Sequence, residues 1–381
     1  MKLGFNLKDK KHSGSANVKL NEWRLTIKNG IVCLQLMAIR KLLFVGLTFM
    51  SVCVFAQKNQ TVIAFGSCDD QKRPQELWKD IISQKPVIWI WGGDNIYADT
   101  GDSVKLKEMY AKQKSDPDYQ QLLKSVHYVT GTWDDHDYGT NDGGKYWPHR
   151  DEYKKFSLQF MGYEKNNEVW RHQGIYNSMT IKTDDKKNFV KVINLDTRYF
   201  RDTLIKVYYK PEGTEKKEYK YEVNETGDIL GEAQWKWFEE ELKNSNAPFF
   251  IVNSSIQALA EDHRFEKWVN FPKARQRLLD VIAASKKNVL IISGDRHIAE
   301  FSKVDLPGAS YPLYDFTSSG ITHTWPEKWV EENRHRVGKI IIEKNYGIIR
   351  VDWAKKDFKV TMEIRGKDNQ VFQQQEITFK R

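Results

Sequence analysis

Cysteine is scarce in this chain: there are 3 in 381 residues, and Cys33 and Cys53 both fall within the first 56. The remainder keeps Cys68 alone, which excludes an internal disulfide framework. Proline is sparse too, at 10. No proline- or glycine-rich linker, low-complexity tract or internal repeat breaks the sequence, so neither a repeat array nor a string of tethered domains is indicated. A polyanion-binding charge excess is also missing. The formal net charge is +9, but residues 1–56 carry 9 Lys or Arg against 2 Asp or Glu, leaving 51 against 49 elsewhere. Aromatic residues are plentiful. With 13 Trp, 17 Tyr and 19 Phe in a chain that is 40% hydrophobic, there is material for a large core, and a disordered chain is excluded.

The basic excess has a local cause. Residues 37–56 run from Met37-Ala38-Ile39-Arg40-Lys41 through the uncharged apolar stretch Leu42–Phe55 to the small residue Ala56. A basic start, a short apolar run and a small terminal residue define a secretory signal peptide. The run is short for a membrane span, and no stop-transfer pattern follows it. Val52 is too bulky a neighbour for lipidation of Cys53, and no twin-arginine pair precedes the run. Cleavage is expected near Ala56, giving a periplasmic or secreted chain without a membrane span. Residues 1–36 then precede a complete signal and read as a mis-assigned upstream extension. Residues 57–381 are expected to form a single α/β domain.

Within that domain, strand-like apolar runs alternate with helical segments. Strands are expected at 61–65, 86–91, 126–130, 189–195, 249–253 and 289–293, and helices at 74–83, 103–124 (broken near Pro117), 234–242 and 274–284. The segments 347–353, 358–364 and 370–379 alternate like antiparallel strands. The Lys- and Glu-rich stretch 208–228 reads as a solvated loop or hairpin.

Strand after strand ends in a cluster of Gly, Asp and His: Gly66-Ser67-Cys68-Asp69-Asp70, Gly93-Asp94-Asn95-Ile96-Tyr97, Trp133-Asp134-Asp135-His136-Asp137 and Ser293-Gly294-Asp295-Arg296-His297. One such cluster is ordinary, because Asp and Gly end strands and cap helices everywhere. Four at the carboxyl ends of successive strands converge on the place where α/β sheets bind ligands. So many carboxylates repel one another unless a multivalent cation neutralises them. Cys68, alone, reads either as an inert buried thiol or as a thiolate for a metal or a substrate; these neighbours favour a metal. Thiolate and phenolate suit a borderline or trivalent ion such as iron, whereas Asp and Asn oxygens suit calcium or magnesium. Two ions sharing Asp94 would form a clamp suited to displacement at phosphorus, with His136 placed to donate a proton or orient phosphate.

At these residues the sequence resembles the alkaline phosphatase D family of calcineurin-like metallophosphoesterases. The matching runs are GSCDDQ (66–71), WGGDNIYAD (91–99), TWDDHDYGTND (132–142), LDTRYFRD (195–202), ILGEAQWKWFEEEL (229–242), FPKARQRLLD (271–280), GDRHIAEFS (294–302) and YDFTSSGITH (314–323). The resemblance implies a four-layer α/β/β/α sandwich, with the metal centre at the carboxyl ends of the strands. It also implies hydrolysis of small phosphate monoesters and diesters with Fe3+ and Ca2+. Carried over residue by residue, Cys68, Asp94, Tyr97 and His297 hold the iron, and Asp94 bridges to calcium, with Asp135 and Asp295 as partners and Asn141 as a further candidate. His136 becomes the leaving-group acid or a phosphate contact. Arg296 contacts phosphate or makes a structural salt bridge, and Arg198 and Arg201 are structural. The metal-ligating His or Gln that members carry after the sixth strand is replaced here by a segment in which Asn253 and Gln257 are the candidates. The β domain that longer members carry ahead of the catalytic part has no counterpart, which leaves substrate preference open.

Three other readings compete. One is a diesterase or phospholipase-type enzyme with little monoesterase activity, and another is a metal-stabilised binding protein without catalysis. The third, a cysteine hydrolase built on Cys68, leaves the Asp-rich loops unexplained and has no evident base. Trp325, Trp329 and His335 lie close to these loops in sequence; the two tryptophans are read as packing residues.

Overall fold

Strand residues here are buried on both sides, and they alternate between two different apolar layers. In β1 (Gln60–Gly66), Ile63 and Phe65 face one layer and Ala64 the other; in β2 (Ile88–Gly92), Ile88 and Ile90 oppose Trp89 and Trp91. This is the continuous apolar run that a parallel strand covered on both faces requires. The computed structural model describes residues 60–183, 187–325, 330–353 and 357–381. The expected signal peptide, the upstream extension and Trp329 lie outside them. Gln60–Arg381 forms one compact unit. Among the described residues, no helix is long and apolar enough to cross a membrane.

In chain order the remaining strands are β3 (Tyr128–Thr132), β4 (Asn177–Lys182), β5 (Phe189–Asn194), β6 (Ile205–Tyr209), β7 (Glu218–Glu222), β8 (Phe249–Asn253), β9 (Val289–Ser293), β10 (Ala299–Val304), β11 (Leu313–Ser318), β12 (Arg336–Ile341), β13 (Tyr346–Asp352), β14 (Phe358–Arg365) and β15 (Val371–Phe379). One sheet has the order β15-β14-β13-β1-β2-β3 and the other β12-β10-β11-β9-β8-β5-β4. The two sheets bury a common core that includes Phe65, Ile90, Val192, Ile251, Ile292 and Phe316. Helices α1 (Trp78–Ser83), α2 (Ser103–Ser115), α3 (Pro117–Ser125) and α5 (Arg150–Met161) cover the outer face of the first sheet; α4 (Asp135–Tyr138) is a single turn at the end of β3. Helices α6 (Gly231–Asn244) and α7 (Pro272–Ser285) cover the second sheet through Trp235, Phe238, Leu278 and Ile282. The result is the expected four-layer α/β/β/α sandwich.

Details differ from the sequence expectation for local reasons. The first helix starts at Trp78 rather than Pro74, because Asp70 holds the amides of Lys72 and Arg73 in a turn. The break near Pro117 is a junction of two helices. Asp116 accepts the amides of Asp118 and Tyr119 and so caps α3, with Pro117 in the first turn, where its missing N–H costs nothing. The charged stretch contributes β7 to a separate two-stranded hairpin, β6–β7, exposed at Tyr208. The C-terminal strands return to the start of the chain: β13 pairs antiparallel with β1, placing Ile349 beside Ile63.

Candidate metal centre

Loops leaving β1, β2, β3 and β9 meet at one end of the sandwich. The meeting is tight. A Cβ on Gly294 would lie 2.3 Å from Ser67 Oγ, so only glycine lets the β9 loop of one sheet touch the β1 loop of the other. Gly93 has φ +95°, and a Cβ there would meet Asp134 Cβ at 2.6 Å, which is how Asp94 comes to lie beside the β3 loop. The non-glycine residues of these loops that also adopt left-handed backbone include four of the expected ligands: Cys68 (φ 60°), Asp94 (50°), Asp295 (67°) and His297 (55°). Such conformations cost about 1–3 kcal/mol each and collect at functional sites. All four had been singled out from sequence.

The side chains converge on Asp94. Its Oδ2 accepts from Cys68 Sγ and from Tyr97 Oη, each at 3.4 Å, and its Oδ1 accepts from the His136 amide at 3.3 Å. Two groups of ligand atoms lie within 4.8 Å of one another: Asp94, Asp135 and His136, and Asp94, Asp134, Asp135 and Asp295. Buried atoms without a hydrogen-bond partner point to a missing positive charge. They include Asp135 Oδ1, Asp134 Oδ2, His297 Nδ1 and, at the end of β8, Asn253 Oδ1. The donor set therefore fits a cation or a pair of cations.

Electrostatics agree. Burial pushes the Asp94, Asp134 and Asp295 carboxyl groups and the Cys68 thiol well above their usual ranges, and neighbouring carboxylates add to the effect. Burial also opposes ionisation of Asp135, but His136, Arg198 and the Asp142 amide hold it down to about 2. His136 would be depressed by burial, yet Asp135, Asp94 and Asp99 push it up to about 11. Burial, with His323 and Arg296 nearby, takes His297 down to about 3, so its ring is neutral, the form that ligates metal.

A pH dependence follows for protein stripped of metal. Asp94, Asp134, Asp295 and Asp137 (raised to about 7) keep protons in the fold that the unfolded chain has released, and His136 keeps its own above the unfolded histidine value. The folded state then binds more protons, so stability falls as pH rises. The depressed histidines act oppositely, but only below the unfolded value of about 6.5. The melting temperature of chelator-treated protein is expected to drop from pH 7 to pH 9. A rise over that range would contradict these assignments.

The other sequence candidates are placed as follows. Asn141 is exposed and donates to Asp142 Oδ2 at 2.6 Å. Arg296 is buried, paired through one terminal nitrogen with Glu331 at 2.5 Å and set over the Phe265 ring, while its Nε has no hydrogen-bond partner. Arg198 bridges Asp134 and Glu266, and Arg201 also pairs with Glu266, a buried chain consistent with a structural role. Gln257 donates to Glu300 and Thr317. Trp325 donates to the Arg296 carbonyl and lies 5.9 Å from the His297 ring, so it borders the site. His335 pairs with Glu261.

Three residues escaped sequence reasoning. Asp134 was visible in the Asp-rich run, but nothing in the run separates it from its neighbours. Asp99 accepts His136 Nδ1 at 2.7 Å, a pairing 37 positions apart. His323 packs 4.9 Å from the Tyr97 ring and 4.6 Å from His297; its only sequence signal was its place at the end of a matching run.

A family model described as PhoD-like phosphatase matches residues 172–371. Among solved structures, one described as "Structure of PhoD" aligns with a TM-score of 0.60 at 17% identity, covering 84% of this chain and 68% of that one. A 5′-nucleotidase precursor from Thermus thermophilus aligns at 8% identity over 84% of this chain and 54% of that one, with a TM-score of 0.36. No curated protein sequence gives a significant match.

Proposed function

The chain belongs to the PhoD-like phosphatase family, with the metallophosphoesterase fold, and from that premise we propose that it is an exported hydrolase of small phosphate monoesters and diesters working at a two-metal centre. That it hydrolyses phosphoric esters follows from the family; export, substrate and the paired centre are the proposal. The observation that carries it is the hub at Asp94, reached by a thiol, a phenol and a cluster of three further carboxylates.

In this reading Cys68, Asp94, Tyr97 and His297 hold iron, because thiolate, phenolate and imidazole suit a borderline or trivalent ion. Asp94, Asp135 and Asp295 hold calcium, the ion of carboxylate oxygens. When bound, the metals supply a polarised water and positive charge for the phosphate oxygens. The chain does the rest. Asp99 holds His136 by Nδ1, which leaves Nε2 to donate a proton to the departing ester oxygen. Arg198 fixes Asp134, a member of the carboxylate cluster, and so holds that side of the cluster in place. Export is supported by the leader pattern at residues 37–56.

The test is hydrolysis of a chromogenic phosphate monoester and the matching diester, with calcium and with chelator. Turnover that chelator removes and metal restores is expected. The ratio of the two rates separates a phosphatase from a diesterase, and protein that contains metal but turns over neither substrate would overturn the proposal.

A further inference from the structure

A cavity of about 340 Å³ abuts the carboxylate cluster, with Asn141, Asp142, Lys145, Tyr146, Lys206 and Tyr221 among its walls. The link is direct: the Asp142 amide donates to Asp135 Oδ2 at 2.7 Å. The far wall is the β6–β7 hairpin. Tyr221 Oη donates to the Asp142 carboxylate, and Lys206 Nζ lies 3.5 Å from it. The hairpin is tied to the other side of the centre as well, through rings in sequence: His297 to Trp325 at 5.9 Å, Trp325 to Phe265 at 5.8 Å, Phe265 to Tyr219 at 6.4 Å and Tyr219 to Tyr221 at 5.6 Å.

The cations in this cavity are already spoken for. Lys145 is paired with Asp202, Lys206 with Asp142, and Arg201, at the back, with Glu266. A second anionic group on a substrate would have to compete with those carboxylates, whereas an uncharged group displaces nothing. Meanwhile the Tyr146 ring is left 75% exposed, with Lys145 Nζ 5.2 Å above it. A large exposed aromatic at the mouth of a cavity is a stacking surface. The volume, at the lower end of the range for small-molecule pockets, leaves room for a ring.

We infer that this cavity is the subsite for an uncharged, ring-bearing substituent of the phosphate ester, with Tyr146 as its stacking platform and the β6–β7 hairpin as its outer wall. The inference rests on the phosphoesterase reading and adds the class of ester that the site prefers. Asp142 joins the two: it lines the cavity, and its amide donates to Asp135 Oδ2.

The experiment compares kcat/KM for 4-nitrophenyl phosphate with that for ethyl phosphate in the metal-loaded protein. Tyr146→Ala is expected to lower the aryl-to-alkyl ratio about tenfold, chiefly through KM, the size of one aromatic contact. Tyr208→Ala, which removes an exposed hairpin tyrosine outside the cavity lining, is expected to keep the wild-type ratio. Because each ratio is read against wild type, the intrinsic difference between the two leaving groups cancels. An unchanged ratio in Tyr146→Ala, or an equal loss in Tyr208→Ala, would overturn the subsite while leaving the phosphoesterase reading intact. A wild-type protein that hydrolyses neither ester would overturn both.

Discussion

Asp94→Asn is expected to lose metal and turnover together. Asp94 lies at the centre of the cluster: its two oxygens meet Cys68, Tyr97 and the His136 amide, and it belongs to both groups of potential ligands. The amide keeps the shape but removes the charge and one of the two acceptor oxygens. Groups one step removed from a metal already cost about 10–100-fold in affinity or activity when mutated, so a loss at the hub should exceed that range. The check is metal content by elemental analysis alongside kcat. The variant is expected to fold, because burial already keeps the Asp94 carboxyl protonated in the metal-free protein and the amide is a neutral group of the same shape. Retention of the full metal complement with unchanged activity would remove Asp94 from the centre.

His136→Ala is expected to behave differently. Turnover should fall about 10²–10⁴-fold, the usual contribution of a positioned proton donor, while metal content stays near wild type. The contrast with Asp94 is the informative part. His136 stacks on Tyr97 at 4.2 Å and lies close enough to Asp94 and Asp135 to be counted with them, so a ligand role is the rival assignment. Loss of metal in His136→Ala would establish that rival. Asp99→Asn separates the two further. It weakens the hold on Nδ1 without touching Asp94 or Asp135, so it should shift the basic limb of the pH–rate profile downward while metal content is preserved.

Much of this centre could be read in the sequence because metal chemistry requires particular atoms. Cys68, Asp94, Tyr97, Asp135, Asp295 and His297 stand at the ends of apolar runs, and runs buried on both faces announce themselves as parallel strands. The residues that escaped reading are those whose role exists only across space. Asp99 matters because its carboxylate meets a ring from another loop, and His323 because the chain brings it back against Tyr97. Arg296 shows the converse. Its place between Asp295 and His297 left a phosphate contact and a salt bridge both open, and the partner of its ion pair, Glu331, lies 35 residues on, where no local pattern points to it.

Alternation, helix caps and the Asp-rich strand ends are local patterns, and they carried the sequence as far as an α/β domain with a candidate metal site at the carboxyl ends of its strands; the sandwich came from the family resemblance. Pairing is not local. Only the tertiary structure decided that β13 returns to lie beside β1, that Gly294 admits Ser67 at the seam between the sheets, and that the β6–β7 hairpin closes a cavity against Asp142. Contacts between residues far apart in the chain depend on how whole layers pack, and no window of sequence contains both partners.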